Sequence, residues 1–251
     1  MKSNISYKTV FFLMVFLSIM FFSCNNNEGN ERFESDFEGI ETATLVGSEY
    51  RPNRLKDWQV SENRMECLVS DENRNLKLLT RELGSQRGTL EMTVRVGFFN
   101  QTLSNRNDNW AGFNIGSKGN FLNYERGKIY NGIKIGVCTN GALFIGEPSP
   151  NHKNQEVINA LPKGLDLKIV VTPIKNYYTI DFSTFDISTG KVLASISKKY
   201  VTKDWLMGDL VLVSNFESKE SGKENNAKSV WFEDWIIKGT KLNSLEKKGT
   251  I

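Results

Sequence analysis

The chain has 251 residues, and its 32 lysines and arginines against 29 aspartates and glutamates give a formal net charge of +3 at pH 7. This length is enough for one large domain or two small ones. The charges are balanced, and no basic stretch with interleaved aromatic residues occurs, so the composition argues against nucleic acid as a partner.

Residues 1–23 have the pattern of a secretory signal peptide. Lys2 and Lys8 give a positively charged start, and residues 10–22 are almost entirely apolar. An apolar stretch of this length is typical of a signal peptide and short for a membrane span. The alternative is an N-terminal membrane anchor that is not cleaved.

The end of this segment, "MFFSC", resembles the lipobox of bacterial lipoproteins because the small residue Ser23 directly precedes Cys24. Phe22 departs from the small or aliphatic residue that is usual at its position. The resemblance implies cleavage before Cys24 and a lipid on that cysteine. With Asn25 in place of aspartate, it also implies the outer membrane, on its periplasmic or cell-surface side. Residues 24–32 are polar and are expected to form a flexible tether.

The next stretch, "FESDFEG", places Glu34, Asp36 and Glu38 at alternate positions, and alternate residues of a strand share one face. Phe33 and Phe37 would then face the core. Carboxylates on one strand can supply the acid and the nucleophile of a retaining glycosidase. At a first strand beside a tether, however, we expect the acidic face to be solvated. Catalysis by these residues is the alternative hypothesis.

Alternation with a period of two continues along the chain and predicts short strands. The segments "GTLEMTVRVG", "LDLKIVVTP", "DLVLVSNF" and "SVWFEDWIIKG" all have it. The pair Asn140-Gly141 predicts a tight hairpin, and a second hairpin is predicted to turn at residues 188–190. Residues 218–228 predict a long polar loop. No segment has a helical stripe. About a dozen regularly spaced strands predict an all-β sandwich or barrel.

Residues 33–242 resemble a concanavalin-A-like (laminin-G-like) jelly-roll sandwich of two antiparallel sheets. The resemblance rests on "DFEG", "DWQVSENRMECLVSDENRNLKLLT", "WAGFNIG", "YNGIKIGVCTNGALFIG" and "FEDWIIKG", in this order. More narrowly, the segment is similar to the lectin-like domain that precedes alkaline-phosphatase-D-type phosphoesterases in some bacterial lipoproteins. We expect the domain here to stand without that catalytic partner and to be followed by a tail at residues 243–251.

The resemblance also suggests a metal, because many sandwiches of this shape hold a structural calcium ion near their paired termini. Asp36, Glu38 and Asp234 are the candidate ligands, since Ca²⁺ prefers oxygen. No loop with calcium-ligand spacing occurs, so we assign no cofactor and keep structural calcium as an alternative.

Other chemistry is limited by the residues present. His152 is the single histidine, which excludes zinc sites that need two. No G-x-S-x-G or P-loop motif occurs. Cys67 and Cys138 lie in alternating apolar segments, so we expect two buried free thiols, although an exported chain could oxidise them.

Glycan binding is the function that remains. Aromatic faces can cover the apolar side of a sugar ring while polar groups bind its hydroxyls. Two polar loops, "NQTLSNRNDNW" and "SKGNFLNYERGKIYNG", have this composition. Their candidate ligand-binding residues are Arg106, Trp110, Tyr124, Arg126, Tyr130 and Asn131. The alternative for Trp110 is packing in the core at the start of a strand. The same packing is expected for Trp58, Trp231 and Trp235.

We therefore predict a lipid-anchored, exported β-sandwich that binds a glycan and has no catalytic activity. Its partners would be a glycan or polysaccharide and, through the lipid, a membrane. The alternatives are a glycoside hydrolase of the β-glucanase-like sandwich type and a structural accessory domain without its phosphoesterase partner. Fold alone does not choose among these three, and the sequence leaves the glycan and the oligomeric state open.

Overall fold

The computed structural model describes residues 31–39, 49–99, 108–118, 132–148, 152–217 and 227–245. The strands in these ranges are β1 (Glu31–Ser35), β2 (Tyr50–Pro52), β3 (Trp58–Ser61), β4 (Arg64–Cys67), β5 (Arg74–Leu83), β6 (Leu90–Phe98), β7 (Trp110–Ser117), β8 (Ile133–Cys138), β9 (Leu143–Ile145), β10 (Leu165–Ile174), β11 (Tyr177–Asp186), β12 (Val192–Val201), β13 (Gly208–Asn215), β14 (Val230–Gly239) and β15 (Leu242–Ser244). Helix α1 spans Gln155–Ala160, and 3-10 helices span Leu55–Asp57 and Lys203–Leu206.

The strands pair into two antiparallel sheets, as the alternating pattern predicts. Sheet I has the order β12-β11-β10-β6-β14-β4-β3, and β1 also pairs with β14. Sheet II has the order β15-β5-β13-β7-β8-β9, and β2 also pairs with β5. The strand that opens the described chain therefore lies beside β14, with Glu31 opposite Gly239. The all-β sandwich of two antiparallel sheets is confirmed.

The main core lies between the sheets and follows the predicted alternation. The inward side chains of β6 are Leu90, Met92, Val94 and Val96, all buried, while the polar residues between them point outward. Strand β10 repeats this pattern. Burial of alternate apolar residues on facing sheets is the arrangement that stabilises a sandwich.

Sheet II also carries apolar residues on its outer side. Phe113 and Ile115 of β7 belong to the main core, so Trp110, an odd number of positions (three) before Phe113, points the other way. It joins a second buried cluster, which we call the outer cluster. The outer cluster consists of Trp110, Cys138, Ala142, Phe144, Val211 and Val213.

Both predicted hairpins are confirmed. Strands β8 and β9 pair across Asn140-Gly141, where Gly141 has a φ of 78°. Strands β11 and β12 pair across the second turn. There, hydrogen bonds donated by Ser188 and Thr189 to the Asp186 carboxylate lower the pKa of Asp186 to about 2.

Helix α1 was not predicted. It has six residues, fewer than two turns, so no apolar stripe can form along it. Its start is fixed by Asn154, whose Oδ1 accepts hydrogen bonds from the backbone N–H groups of Glu156 and Val157. None of the helices in the described ranges combines the length and the apolar composition needed to span a bilayer.

The cysteines Cys67 and Cys138 are buried and free, as predicted. Burial raises the pKa of both thiols, that of Cys138 to about 12. Because the reactive form of cysteine is the thiolate, neither residue is expected to act as a nucleophile.

Two of the three tryptophans expected to pack in the core do so. Trp58 and Trp235 belong to the main core, which confirms the prediction for them. Trp231 is buried instead on the outer side of sheet I, where the Arg64 guanidinium lies 4.3 Å from its ring centroid and Gly97 of β6 leaves room for the indole. Its expected place in the core is wrong, because it alternates with the inward-facing Phe232 on β14.

Candidate functional site

Most of the sites predicted from sequence fall outside the described residues. This applies to the lipidation candidate and to five of the ligand-binding candidates. They are Cys24, Arg106, Tyr124, Arg126, Tyr130 and Asn131. Their assignments stay predictions.

Trp110, the remaining ligand-binding candidate, is packed. It begins β7, is 4% exposed, and meets Phe144 edge-on at a centroid distance of 5.0 Å. A ring enclosed in this way offers no open face for a sugar. The structure thus places Trp110 in the alternative position, in the outer cluster, and corrects its assignment as a ligand-binding residue.

A different surface combines exposed aromatic rings with polar groups. It is a cleft of about 550 Å³ where β7, β8, β12 and the Lys203–Leu206 helix meet, and we call it the Trp205 cleft. Its main lining residues are Asn114, Lys134, Glu147, Lys198, Tyr200 and Trp205.

Trp205 is presented to solvent from a fixed backbone. The indole is 48% exposed, whereas the preceding turn is closed by a hydrogen bond from the Trp205 N–H to the Thr202 carbonyl. Gly116 of β7, with a φ of 73°, packs directly under this turn. A Cβ at Gly116 would overlap the Trp205 carbonyl oxygen, so the glycine lets the turn approach the sheet.

Tyr200 is aimed outward by a β-bulge. Tyr178 pairs with Val201 and Ile180 pairs with Lys198, which leaves two residues of β12 opposite one residue of β11. Tyr200 takes a φ of 62° there, an uncommon conformation for a residue with a side chain, and is 77% exposed. A strained backbone that displays an aromatic ring to water is typical of a binding surface.

Polar groups complete the Trp205 cleft. Asn114 on β7 is 4% exposed, and its Oδ1 accepts no hydrogen bond from the described residues. Leaving such an atom unpaired costs about 1–3 kcal/mol, so it is suited to accept a hydrogen bond from a ligand hydroxyl. Lys134, opposite Asn114 in the register of β7 and β8, donates to Glu147 at 3.4 Å.

One lining residue of the Trp205 cleft directly follows the predicted glycan-binding loop in sequence. Residues 119–131, which carry Tyr124 and Arg126, run from Lys118 to Gly132, and Gly132 lines the cleft. A Cβ on Gly132 would lie 2.6 Å from Asn114 Oδ1, so the glycine permits this close approach. Gly132, the first described residue after the predicted loop, therefore lies beside Asn114.

Sequence reasoning missed Tyr200 and Trp205. The segment "KKYVTKDW" ends a predicted strand, and its aromatic residues stand among lysines and a threonine. These polar neighbours were the available sequence signal that the two aromatic side chains are exposed. Their exposure depends on the bulge and on the 3-10 turn, which the alternation does not reveal.

The acidic N-terminal residues lie at a second surface, a groove of about 710 Å³ on the outer side of sheet I, which we call the Arg95 groove. Glu34, Asp36, Arg95, Asp166, Lys168 and Asp234 line it. Three of the predicted carboxylates are thus brought to one groove, because β1 pairs with β14. Glu38 does not line it.

The expected strand of three acidic residues is shorter than predicted. Strand β1 ends at Ser35, and beyond it the Asp36 carboxylate accepts a hydrogen bond from the Glu38 N–H at 2.9 Å in a turn. Phe37 has a φ of 59° in this turn. The placement of all three carboxylates on one strand face is therefore wrong. The expected burial of Phe33 and Phe37 and the exposure of the acidic side chains are confirmed.

Arginines hold the carboxylates of the Arg95 groove. Arg95 Nε lies 2.9 Å from Asp166 and its Nη1 lies 3.1 Å from Asp234, while Arg32 pairs with Glu34 at 2.7 Å. A retaining glycosidase needs a nucleophile and a proton-donating acid about 5 Å apart, whereas ion pairs here occupy Glu34, Asp166 and Asp234. Within the described ranges, no group of three or more histidine, cysteine, aspartate or glutamate side chains is arranged to hold a metal ion.

We expect Glu34→Gln and Glu38→Gln each to change the free energy of unfolding by less than about 0.5 kcal/mol, because both side chains are exposed. Chemical denaturation measures this change. A much larger loss, with added calcium stabilising only the parent, would instead identify a metal site. Glycan hydrolysis that disappears in either variant would establish an enzyme.

The comparisons with known proteins bear on the fold. No family model matches the chain, and no curated protein matches it in sequence. Among solved structures, basic winged bean lectin with Tn-antigen matches with a TM-score of 0.54 and 12% identity, over 86% of this chain and 100% of that one. Lectin I from Ulex europaeus, in complex with the methyl glycoside of α-L-fucose, matches with a TM-score of 0.52 and 8% identity, over 84% and 98%.

An enzyme is also similar. A variant of the alginate lyase Aly36B, in complex with an alginate tetrasaccharide, matches with a TM-score of 0.50 and 8% identity, over 83% of this chain and 96% of that one. The two antiparallel sheets define the class, a lectin-like β-sandwich. More particularly, the chain has the concanavalin-A-like fold. At these identities the similarity establishes the fold only, and the function has to be inferred from the residues of the site.

Proposed function

We propose that the domain is a glycan-binding module and that the Trp205 cleft holds the sugar. The observation that carries this proposal is the pair of exposed rings, Trp205 and Tyr200, beside the buried Oδ1 of Asn114, which has no hydrogen-bond partner among the described residues. The similar lectins give further support, since the winged bean and Ulex proteins were solved with Tn-antigen and a fucose glycoside, respectively.

The chemistry of the Trp205 cleft suits a sugar. The faces of Trp205 and Tyr200 can cover the apolar C–H side of a pyranose ring. Asn114 Oδ1 accepts from a hydroxyl, and Lys134 and Glu147 provide a donor and an acceptor at the rim. The cleft is open and the contacts are few, so affinity should be on the order of 10 µM to 1 mM.

On this proposal the loop that returns at Gly132 completes the site. Tyr124 would add a third ring, and Arg126 would donate paired hydrogen bonds to hydroxyls or to a carboxylate. Tyr130, Asn131 and, from the neighbouring loop, Arg106 remain assigned to glycan contacts on the same grounds.

A glycan array followed by calorimetry tests the proposal, with the full chain purified in detergent. Binding of one or more polysaccharides is expected. If the parent binds none, the structural accessory role replaces glycan binding. If it binds and Tyr124→Ala binds equally well, the loop is not part of the site.

We also propose that the protein is exported and lipid-anchored to the outer membrane through Cys24. Many anchored copies would raise the avidity of a weak site by allowing simultaneous attachment to one polysaccharide. The support is the lipobox-like sequence "MFFSC".

Cys24→Ala is expected to release the protein from the membrane fraction or to leave its signal peptide uncut, because the acceptor of the lipid is gone. Fractionation and mass spectrometry of the mature N-terminus measure this. Asn27→Ala, in the same polar segment, is the control and should stay anchored. An unmodified Cys24 inside a longer mature chain would contradict the anchor.

A further inference from the structure

We infer that the Trp205 cleft takes an internal stretch of an acidic polysaccharide, a chain bearing carboxylate or sulfate groups, rather than a neutral terminal sugar. This rests on the proposed glycan binding at that cleft. Two independent observations point to it: a lysine in the lining that pairs with no carboxylate of the described residues, and an aromatic surface that continues past the cleft.

The first observation is the charge of the lining. Lys198 is exposed, lines the cleft, and pairs with no carboxylate among the residues that the structure describes. Its Nζ lies 3.7 Å from the place that a Cβ on Gly146 would take, so the ammonium group reaches from β12 of sheet I to the end of β9 in sheet II. The other lysine of the lining, Lys134, has Glu147 as its partner. Among the described residues, the lining therefore keeps one positive charge without a carboxylate partner.

The neighbouring surface has the same sign. Residues 198–205 contain three lysines, and Asp204 is their single acidic residue. Lys199 and Lys203 are exposed beside Tyr200 and Trp205, and neither forms an ion pair within the described ranges. A cluster of exposed like charges raises the local concentration of an oppositely charged ligand.

The second observation is the length of the aromatic surface. Tyr177, 43% exposed, meets Tyr200 edge-on with ring centroids 5.8 Å apart. Tyr200, which lines the cleft together with Trp205, thus contacts a third exposed ring, and Tyr177 lies beyond the cleft lining. A pocket for one terminal sugar needs no such extension, whereas successive units of a chain would use each ring in turn.

The same surface is poorly suited to a second copy of the protein. Strand β12 is the free edge of sheet I among the described strands, but Lys198 and Lys199 stand on it. Lysines on an edge strand oppose pairing with another strand, because burying them is costly. An acidic polysaccharide, in contrast, would be attracted by the positive charges of these two lysines.

The experiment titrates the full chain with three polymers of matched length: a polyuronate, a sulfated galactan and a neutral β-glucan. We expect at least one acidic polymer to bind roughly tenfold more tightly than the neutral one at low salt, and this advantage to shrink at about 0.5 M NaCl through screening. The two acidic arms distinguish a carboxylate from a sulfate ester. Affinity should also rise along an oligosaccharide series from disaccharide to octasaccharide.

Variants assign the effect to the residues. Lys198→Met should lower affinity for the acidic polymer about fivefold and affinity for the neutral polymer by a smaller factor. Lys191→Met is the control, since it removes the same charge from an exposed position at the start of β12. Tyr177→Ala should lower the affinity for the octasaccharide and leave the affinity for the disaccharide unchanged.

The outcomes separate the two proposals. Binding of no glycan at all overturns glycan binding itself. Equal binding of acidic and neutral polymers, or a Lys198→Met variant that behaves as the parent, overturns only the acidic class. Acidic binding that survives Trp205→Ala also overturns it, because the polymer would then be held by charge elsewhere on the surface.

Discussion

Trp205→Ala is expected to weaken glycan binding at least about tenfold, equivalent to ~1.4 kcal/mol. The reason is that the half-exposed indole supplies the main apolar face of the Trp205 cleft. The turn that carries it is held by backbone contacts with β7, so the free energy of unfolding should change by less than about 1 kcal/mol. Calorimetry measures the binding, and chemical denaturation measures the stability.

Leu55→Ala is the matched control for Trp205→Ala. Leu55 is a large apolar residue with a comparable exposed fraction, and it precedes β3 at the opposite edge of sheet I from β12. The control should bind as the parent does. If Trp205→Ala also binds as the parent does while Tyr124→Ala has lost binding, the site lies in the loop and not at the Trp205 cleft.

Arg74→Met is expected to cost about 3–5 kcal/mol of stability, the largest effect predicted for a single substitution here. Arg74 on β5 and Asp57 are each 2% exposed, and they form an ion pair with a distance of 2.5 Å from Nε to Oδ2. Arg74 also binds the Asp71 carboxylate at 2.6 Å and donates to the Glu72 carbonyl at 2.6 Å. Removing the guanidinium leaves the Asp57 carboxylate buried without its partner.

Thermal unfolding should register this loss as a fall in Tm of roughly 6–20 °C for a domain of this size. The control is Lys191→Met, which breaks the exposed pair with Glu156 and should change stability by no more than about 0.5 kcal/mol. The double variant Asp57→Asn, Arg74→Met should lose less than Arg74→Met alone, since no buried charge remains. A loss below about 1 kcal/mol for Arg74→Met would contradict this account.

The fold was predictable where buried and exposed side chains alternate along a strand with a period of two. Leu90 to Val96 on β6 alternate with polar residues because one face meets the core and the other meets water. The Asn140-Gly141 hairpin was predictable because few residue pairs adopt that turn. The meeting of Glu34 and Asp234 at one groove followed from the pairing of β1 with β14.

The candidate site was less predictable, since its features depend on contacts between distant segments. Trp110 is covered by Phe144 and its neighbours on the outer side of sheet II, and alternation alone does not say which face of a sheet is covered. Tyr200 is exposed because β12 gains a residue relative to β11. A bulge of this kind leaves no trace in the pattern of apolar residues.

The pairing of β1 with β14 has a mechanical consequence. Tension applied through the residues before Glu31 enters sheet I at β14, which is bonded to β6 on its other side. Pulling β1 away would require Phe33 to leave its contacts with Trp235 and Tyr50. A load between this end and a polymer held at β12 would cross the ladders β1-β14, β14-β6, β6-β10, β10-β11 and β11-β12 in series. The weakest of these five ladders would set the force at which sheet I comes apart.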